Sequence, residues 1–191
     1  MEENYLNSVL KQFEYYKILG EKTFAQLNED ELFWQFNKES NSIAITVNHL
    51  WGNMKSRWTH FLTSDGEKEW RNRDLEFESD IKTKVEMLQK WNDGWHCLFE
   101  ALNSVDKDNF YSEIFIRNQS HSIIEAFNRQ MMHYAYHIGQ IVYVGRMIKG
   151  KEWQSLSIPK GKSKDFNANK FAKGKHKGHF TDEIKKTGCN K

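Results

Sequence analysis

Over the first 150 residues apolar side chains recur at gaps of three and four, and four stretches hold that rhythm long enough to predict amphipathic helices. The first spans about Glu3 to Gln26, with Tyr5, Val9, Phe13 and Tyr16 on one stripe. The second begins after the capping residues Asn41-Ser42 and carries Ile43, Val47, Leu50, Met54, Trp58 and Phe61. Ser64-Asp65-Gly66 is its expected end. The third is expected from about Ser79-Asp80, through Val85, Leu88, Trp91, Trp95, Leu98 and Leu102. In the fourth, Ser122 and Glu125 have capping-box spacing, in which hydroxyl and carboxylate each satisfy an orphan backbone N–H. Ile124, Phe127, Met131, Tyr134, Ile138, Ile141, Gly145 and Ile148 then form a bundle-type seam that Gly150 closes.

Phe110–Arg117 alternates enough for a short strand, but one strand makes no sheet, so the expected fold class is an all-α four-helix bundle over residues 1–150. From Lys151 the composition changes. Residues 151–191 hold eleven Lys against four Asp+Glu, the sole proline (Pro159) and several glycines, and read as a basic, poorly structured extension. Trp153, Leu156 and Ile158 are the residues by which it would pack back on the bundle.

The whole chain of 191 residues carries only +2, so the basic tail leaves residues 1–150 acidic, at −5. A body without a continuous basic face argues against nucleic acid as a partner. Two cysteines, Cys97 and Cys189, give no disulfide framework and fit a reducing cytoplasm. No apolar run approaches the roughly 18 residues of a membrane span, and no signal-peptide pattern opens the chain. A soluble, cytoplasmic protein is expected.

The candidate chemistry lies in "HYAYHIGQ", where His133 and His137 sit one helical turn apart on one side of the fourth helix. With eight histidines in the chain, that spacing alone is weak evidence. The seam adds to it, because each histidine sits one residue before a seam position, Tyr134 or Ile138, beside the core. A metal site needs a third ligand from another helix. His49 has the same offset before Leu50; His60 lies three turns further along the stripe, near the helix end, and is the weaker choice. Three neutral imidazoles with an open fourth position make a Lewis-acid site.

"ITVNHLWGNM" on the second helix and "RQMMHYAYHIGQIVYVGRM" on the fourth resemble the DinB-like superfamily of metal-binding four-helix bundles, over roughly residues 3–150. "GEKEWRNRD" and "WQSLSIPKGKSKDFN" further resemble an uncharacterised bacillar subgroup. The resemblance implies an up-up-down-down bundle, a homodimer, and one divalent ion on His49, His133 and His137, with zinc or nickel ahead of iron or manganese. It also implies kinship with bacillithiol- and mycothiol-dependent S-transferases, hence a small thiol and a small electrophile as substrates. Asn53 and Arg129, each a turn from a ligand, are candidates to orient a substrate carboxylate or a water beside the ligands. A non-catalytic metal-binding or stress-associated interaction bundle is the alternative.

Other features rank lower. In Trp95-His96-Cys97 neighbouring side chains diverge by about 100° around a helix, against a catalytic pair. Glu31, Glu67, Glu76 and Glu78 fall in expected loops, and nothing selects a general base among them. Trp70–Asp74, with two arginines, reads as a salt-bridged loop or a gate for an acidic ligand. Lys173–His179 reads as a solvated tail whose His176 and His179 scavenge metal weakly.

Overall fold

The computed structural model describes residues 1–78 and 80–186. The chain is mainly helical. Its long helices are α1 (Glu2–Phe24), α3 (Ile43–Trp58), α4 (Lys84–Asn103) and α5 (Ile123–Lys149), with a short α2 (Glu29–Phe33) between the first two. Helix α1 touches α5, α5 touches α3, α3 touches α4 and α4 returns to α1, which closes the four long helices into a bundle.

One aromatic ring from each long helix meets at the centre. Phe13 lies 6.5 Å from both Trp58 and Trp95 and 5.8 Å from Tyr134, and Trp95 lies 5.8 Å from Tyr134. Tilted and edge-on contacts of this kind add to the burial of large apolar area. Two of the three polar handles are satisfied internally, while the buried Trp95 Nε1 has no hydrogen-bond partner among the described residues. Trp58 Nε1–H donates to the Tyr134 hydroxyl at 2.8 Å, which donates to Asn53 Oδ1 at 3.1 Å. The site-facing residue Asn53 is thereby tied to the core.

Helix boundaries follow local chemistry that differs in places from the apolar rhythm. Helix α3 stops at Trp58, short of Ser64-Asp65-Gly66, and His60 takes a left-handed φ of 50° beyond it, while Phe61 still reaches the core. Helix α4 starts at Lys84, later than Asp80, because Thr83 and Glu86 form a reciprocal capping box; Ser79 lies outside the described residues. A second box, Asn28 with Glu31, nucleates α2, which the apolar pattern passes over.

The expected lone strand has a partner. β1 (Glu113–Ile116) pairs antiparallel with β2 (Gln119–Ser122) around a two-residue turn, Arg117-Asn118. Both turn residues have positive φ, 57° and 60°, as this hairpin type requires, although neither is glycine. Asp65 makes the turn possible: its carboxylate accepts from Arg117 N at 2.8 Å, Asn118 N at 2.7 Å and Glu67 N at 2.7 Å. Burial opposes ionisation of Asp65, but the three N–H donors outweigh it and hold the carboxyl below its ordinary value.

The extension expected to be poorly structured contains α6 (Ser163–Phe171) and α7 (Asp182–Lys186). It docks on α1 at its far end. Lys11 pairs with Asp182 at 2.8 Å, Ser8 Oγ meets His179 Nε2 at 3.2 Å, and Thr181 and Ile184 are buried. Trp153 and Leu156 are half-buried, whereas Ile158 and residues 173–178 are exposed. Cys189 lies outside the described residues. No described helix is long and apolar enough to cross a membrane.

Replacing Asp65 by alanine removes the carboxylate that accepts three backbone N–H bonds, two of them from the strained turn, and is expected to cost about 2 kcal/mol. The check is the urea midpoint of the variant against that of the parent chain; an unshifted midpoint would show that the turn holds without it.

Candidate metal centre

Helices α3 and α5 lie against one another, and the one-residue offset from the seam turns His49, His133 and His137 into the same space. Their ligand-capable atoms all lie within 4.8 Å of one another. His133 Nε2 is 3.3 Å from His49 Nε2 and 3.1 Å from His137 Nε2. His49 and His137 are buried and His133 is half-buried.

The outer ring nitrogens determine what the inner ones can do. His49 Nδ1–H donates to Glu76 Oε2 at 2.8 Å, and His137 Nδ1–H donates to Gln140 Oε1 at 2.9 Å. As neutral imidazoles, both therefore present a bare Nε2 lone pair to the centre. Only His133 has a proton to offer there, and it can satisfy one neighbour. At least one Nε2 lone pair is thus left facing a ring nitrogen at hydrogen-bond distance with no proton between them. A cation resolves this conflict. Tetrahedral ligands at 2.0–2.1 Å from zinc are about 3.3 Å apart, close to the 3.3 and 3.1 Å that separate His133 Nε2 from the other two, so the residues fit a metal of this type.

Proton uptake is the other way to relieve the conflict, and the surroundings oppose it. Burial foremost, then the charges of His137, His49, Arg71 and Arg57, pushes His133 down to about 3. Burial likewise pushes His137 down to about 4, against the hydrogen bond to Gln140.

Glu76 is the support that the sequence did not single out. It lies on a single 3-10 turn (Asp74–Phe77) in the connection between α3 and α4, and is 7 % exposed. Arg71 grips it with two bonds, Nε to Oε1 at 2.7 Å and Nη2 to Oε2 at 3.0 Å. Burial opposes its ionisation, yet the bonds from His49 and Arg71 hold the carboxyl below its ordinary value. Gly52 makes the approach possible: a Cβ there would overlap the carboxylate, with Cδ only 2.7 Å away. A glycine inside a helix, three residues after a ligand candidate, was the legible signal for this contact. Phe77 stacks on the His49 ring at 4.7 Å and completes the floor.

The remaining candidates divide. Asn53 and Arg129 both line the cavity over the histidines; Arg129 Nη1 also meets His121 Nε2 at 3.0 Å. Arg71 and Arg73 bring the Trp70–Asp74 segment to the same wall. His60 is exposed and lines a separate recess with Thr59 and Cys97. His96 pairs with Glu100 at 3.2 Å, whereas Cys97 bonds Thr59, and burial raises its thiol pKa. His96 and Cys97 make no catalytic pair. Glu31 caps α2 and pairs with Lys149.

Fold and site together define a helical protein with a three-histidine cluster that can hold a metal ion. The chain belongs to the family described as "Protein of unknown function (DUF1572)", which matches residues 1–162. No curated protein and no solved structure matches it.

The depressed histidines give the metal-free protein a pH signature. Below about 6.5 the unfolded chain takes up protons on His133 and His137, while the folded chain does so only near 3 and 4. The unfolded state binds more protons in that window, so stability falls as pH falls through it and is fully present above 6.5. Denaturant midpoints of chelator-treated protein should decline from pH 7 to pH 5, with a shallower slope in His133→Gln. An equal slope in that variant would contradict the assignment.

Proposed function

We propose that the three histidines hold one divalent ion, zinc or nickel before iron or manganese, and that the chain acts as a metal-dependent thiol S-transferase-like enzyme on a small electrophile. In this reading it is a cytoplasmic homodimer of the DinB-like superfamily with up-up-down-down connectivity. The observation that carries the proposal is the convergence of three Nε2 atoms, two of them stripped of their proton by Glu76 and Gln140. When bound, the ion supplies a Lewis acid that favours the thiolate form of a thiol at neutral pH.

The chain's own residues position and exclude. Glu76 and Gln140 set the tautomers and ring planes of His49 and His137. Asn53, its oxygen held by Tyr134, leaves its amide N–H groups as the donors it can offer to substrate. Cys97 lies outside the cavity, and among the described residues no Asp or Glu lines it, which supports a nucleophile that arrives with the substrate. That same lack of an internal base is what favours the second reading, a metal-binding bundle without turnover.

Tag-free protein should carry about one metal per chain by mass spectrometry of the ion, and His49→Ala, His133→Ala and His137→Ala together should abolish it. To separate any metal taken up by the tail histidines His176 and His179, the same measurement on a His176→Ala/His179→Ala chain is the control. Unchanged metal content in the triple variant would sink the site. With a panel of small thiols and aromatic or haloalkyl electrophiles, thiol consumption should disappear in His49→Ala; metal without consumption across the panel favours the second reading.

Gly52→Ala tests the carboxylate behind the ligand. Alanine is favoured over glycine in a helix by about 1 kcal/mol, yet here it should displace Glu76 and weaken metal binding by about 10–100-fold. Competition with a chelator reads the change, and an affinity equal to the parent's would show that Glu76 has no part in holding the ion.

A further inference from the structure

The histidines occupy one part of a cavity of about 490 Å³. The rest of its wall is strongly basic: Arg57, Arg71, Arg73, Arg117 and Arg129 line it, and among the described residues no Asp or Glu does. These arginines come from helix α3, the α3–α4 connection, the hairpin turn and helix α5, so four separate segments converge to place like charges together. Such convergence costs energy unless counter-charge is supplied.

The protein supplies only part of it. Glu76 is taken up by Arg71 and His49. Glu67 is shared between Arg71 at 3.2 Å, Arg117 at 3.3 Å and Arg57 at 4.0 Å. Two carboxylates against five guanidiniums leave three positive charges, before a divalent ion is counted.

Arg57 is the informative one. Its side chain is 4 % exposed, and its Nε and Nη1 have no hydrogen-bond partner among the described residues. Burial lowers its pKa to about 10, which still leaves it charged at neutral pH. A buried guanidinium with idle donors is expensive to keep, and no contact within the fold uses those two atoms. Arg73 and Arg129 stand at the exposed rim; Arg73 lies over the Phe77 ring at 5.1 Å, and neither has an ion pair among the described residues. The cavity volume suits a small molecule, and the acidic body around it does not continue the basic surface as a nucleic-acid track would.

We infer that this cavity binds a small dianion, a dicarboxylate or a phosphate monoester, whose oxyanion groups are held by Arg73 and Arg129, with the charge of buried Arg57 behind them, while its uncharged part faces the three imidazoles. Planar guanidiniums pair with either group through two parallel N–H···O bonds, which makes both sources compatible with one wall. The inference rests on the cavity being the open face of the proposed metal site, and it names the class of molecule that enters there.

The test is calorimetric titration of tag-free full-length protein at low ionic strength with succinate, inorganic phosphate and uncharged succinamide, with metal content measured on the same samples. At least one dianion should saturate a single site per chain, and succinamide should not bind. Arg73→Gln and Arg129→Gln should each weaken the dianion about tenfold, with melting temperature and metal content unchanged. These two residues are exposed, so the variants fold independently of the buried Arg57. Succinate alone binding assigns a dicarboxylate, phosphate alone a phosphate ester, and both a general dianion site. Failure of both dianions to saturate, equal binding of succinamide, or unchanged affinity in both arginine variants overturns the inference. Protein that binds a dianion but carries no metal sinks the metal reading and leaves this one standing; metal without any anion binding does the reverse.

Discussion

The carboxylate of Glu76 is out of water, seated on the bare backbone of Gly52 between His49 and the fork of Arg71. Its placement joins three things that would otherwise be independent: the register of the α3–α4 connection, the tautomer of His49 and the position of the arginine wall. Removing one partner from a buried hydrogen-bonded charge pair costs about 3–5 kcal/mol, because the other charge is stranded. The connection is therefore held down as firmly as a helix, although its sequence has no apolar rhythm.

The aromatic centre provides the second constraint. Tyr134 is wholly buried, and it immediately follows His133 on α5. Rings from the other three long helices fix its position, and the Trp58–Tyr134–Asn53 chain of hydrogen bonds carries that rigidity to the cavity. A cluster that keeps three ring nitrogens this close, with at most one proton among them, needs such support, since the imidazoles would otherwise swing apart or take up protons.

Cavity chemistry follows from these two anchors. The histidines present a place for a cation, and the arginines beside them a place for negative charge, in a recess that no thiol or carboxylate lines among the described residues. That combination is consistent with a metal-assisted reaction between molecules that arrive from outside, one of them anionic.

Much of the fold was legible because it rests on local chemistry. The Ser122–Glu125 box starts α5 where the sequence places it, and the apolar seams assign the buried faces of the long helices except at their first turns, where Val85 and Ile124 are exposed and Ile123 is buried instead. The offsets of His49, His133 and His137 were legible too, since helical periodicity alone puts each beside its seam. Less local features were not. The hairpin has one strand, Gln119–Ser122, without an apolar residue, and its non-glycine turn depends on Asp65, more than fifty residues away. The docking of Thr181 and Ile184 on α1 is likewise a long-range contact in a Lys-rich tail. Glu76 looked like Glu31, Glu67 and Glu78, four carboxylates in loops. Sequence by itself determined which histidines lie beside the core, because spacing sets helical faces; only tertiary structure decided which carboxylate and which arginines meet them, because desolvation and pairing between distant segments have no local pattern.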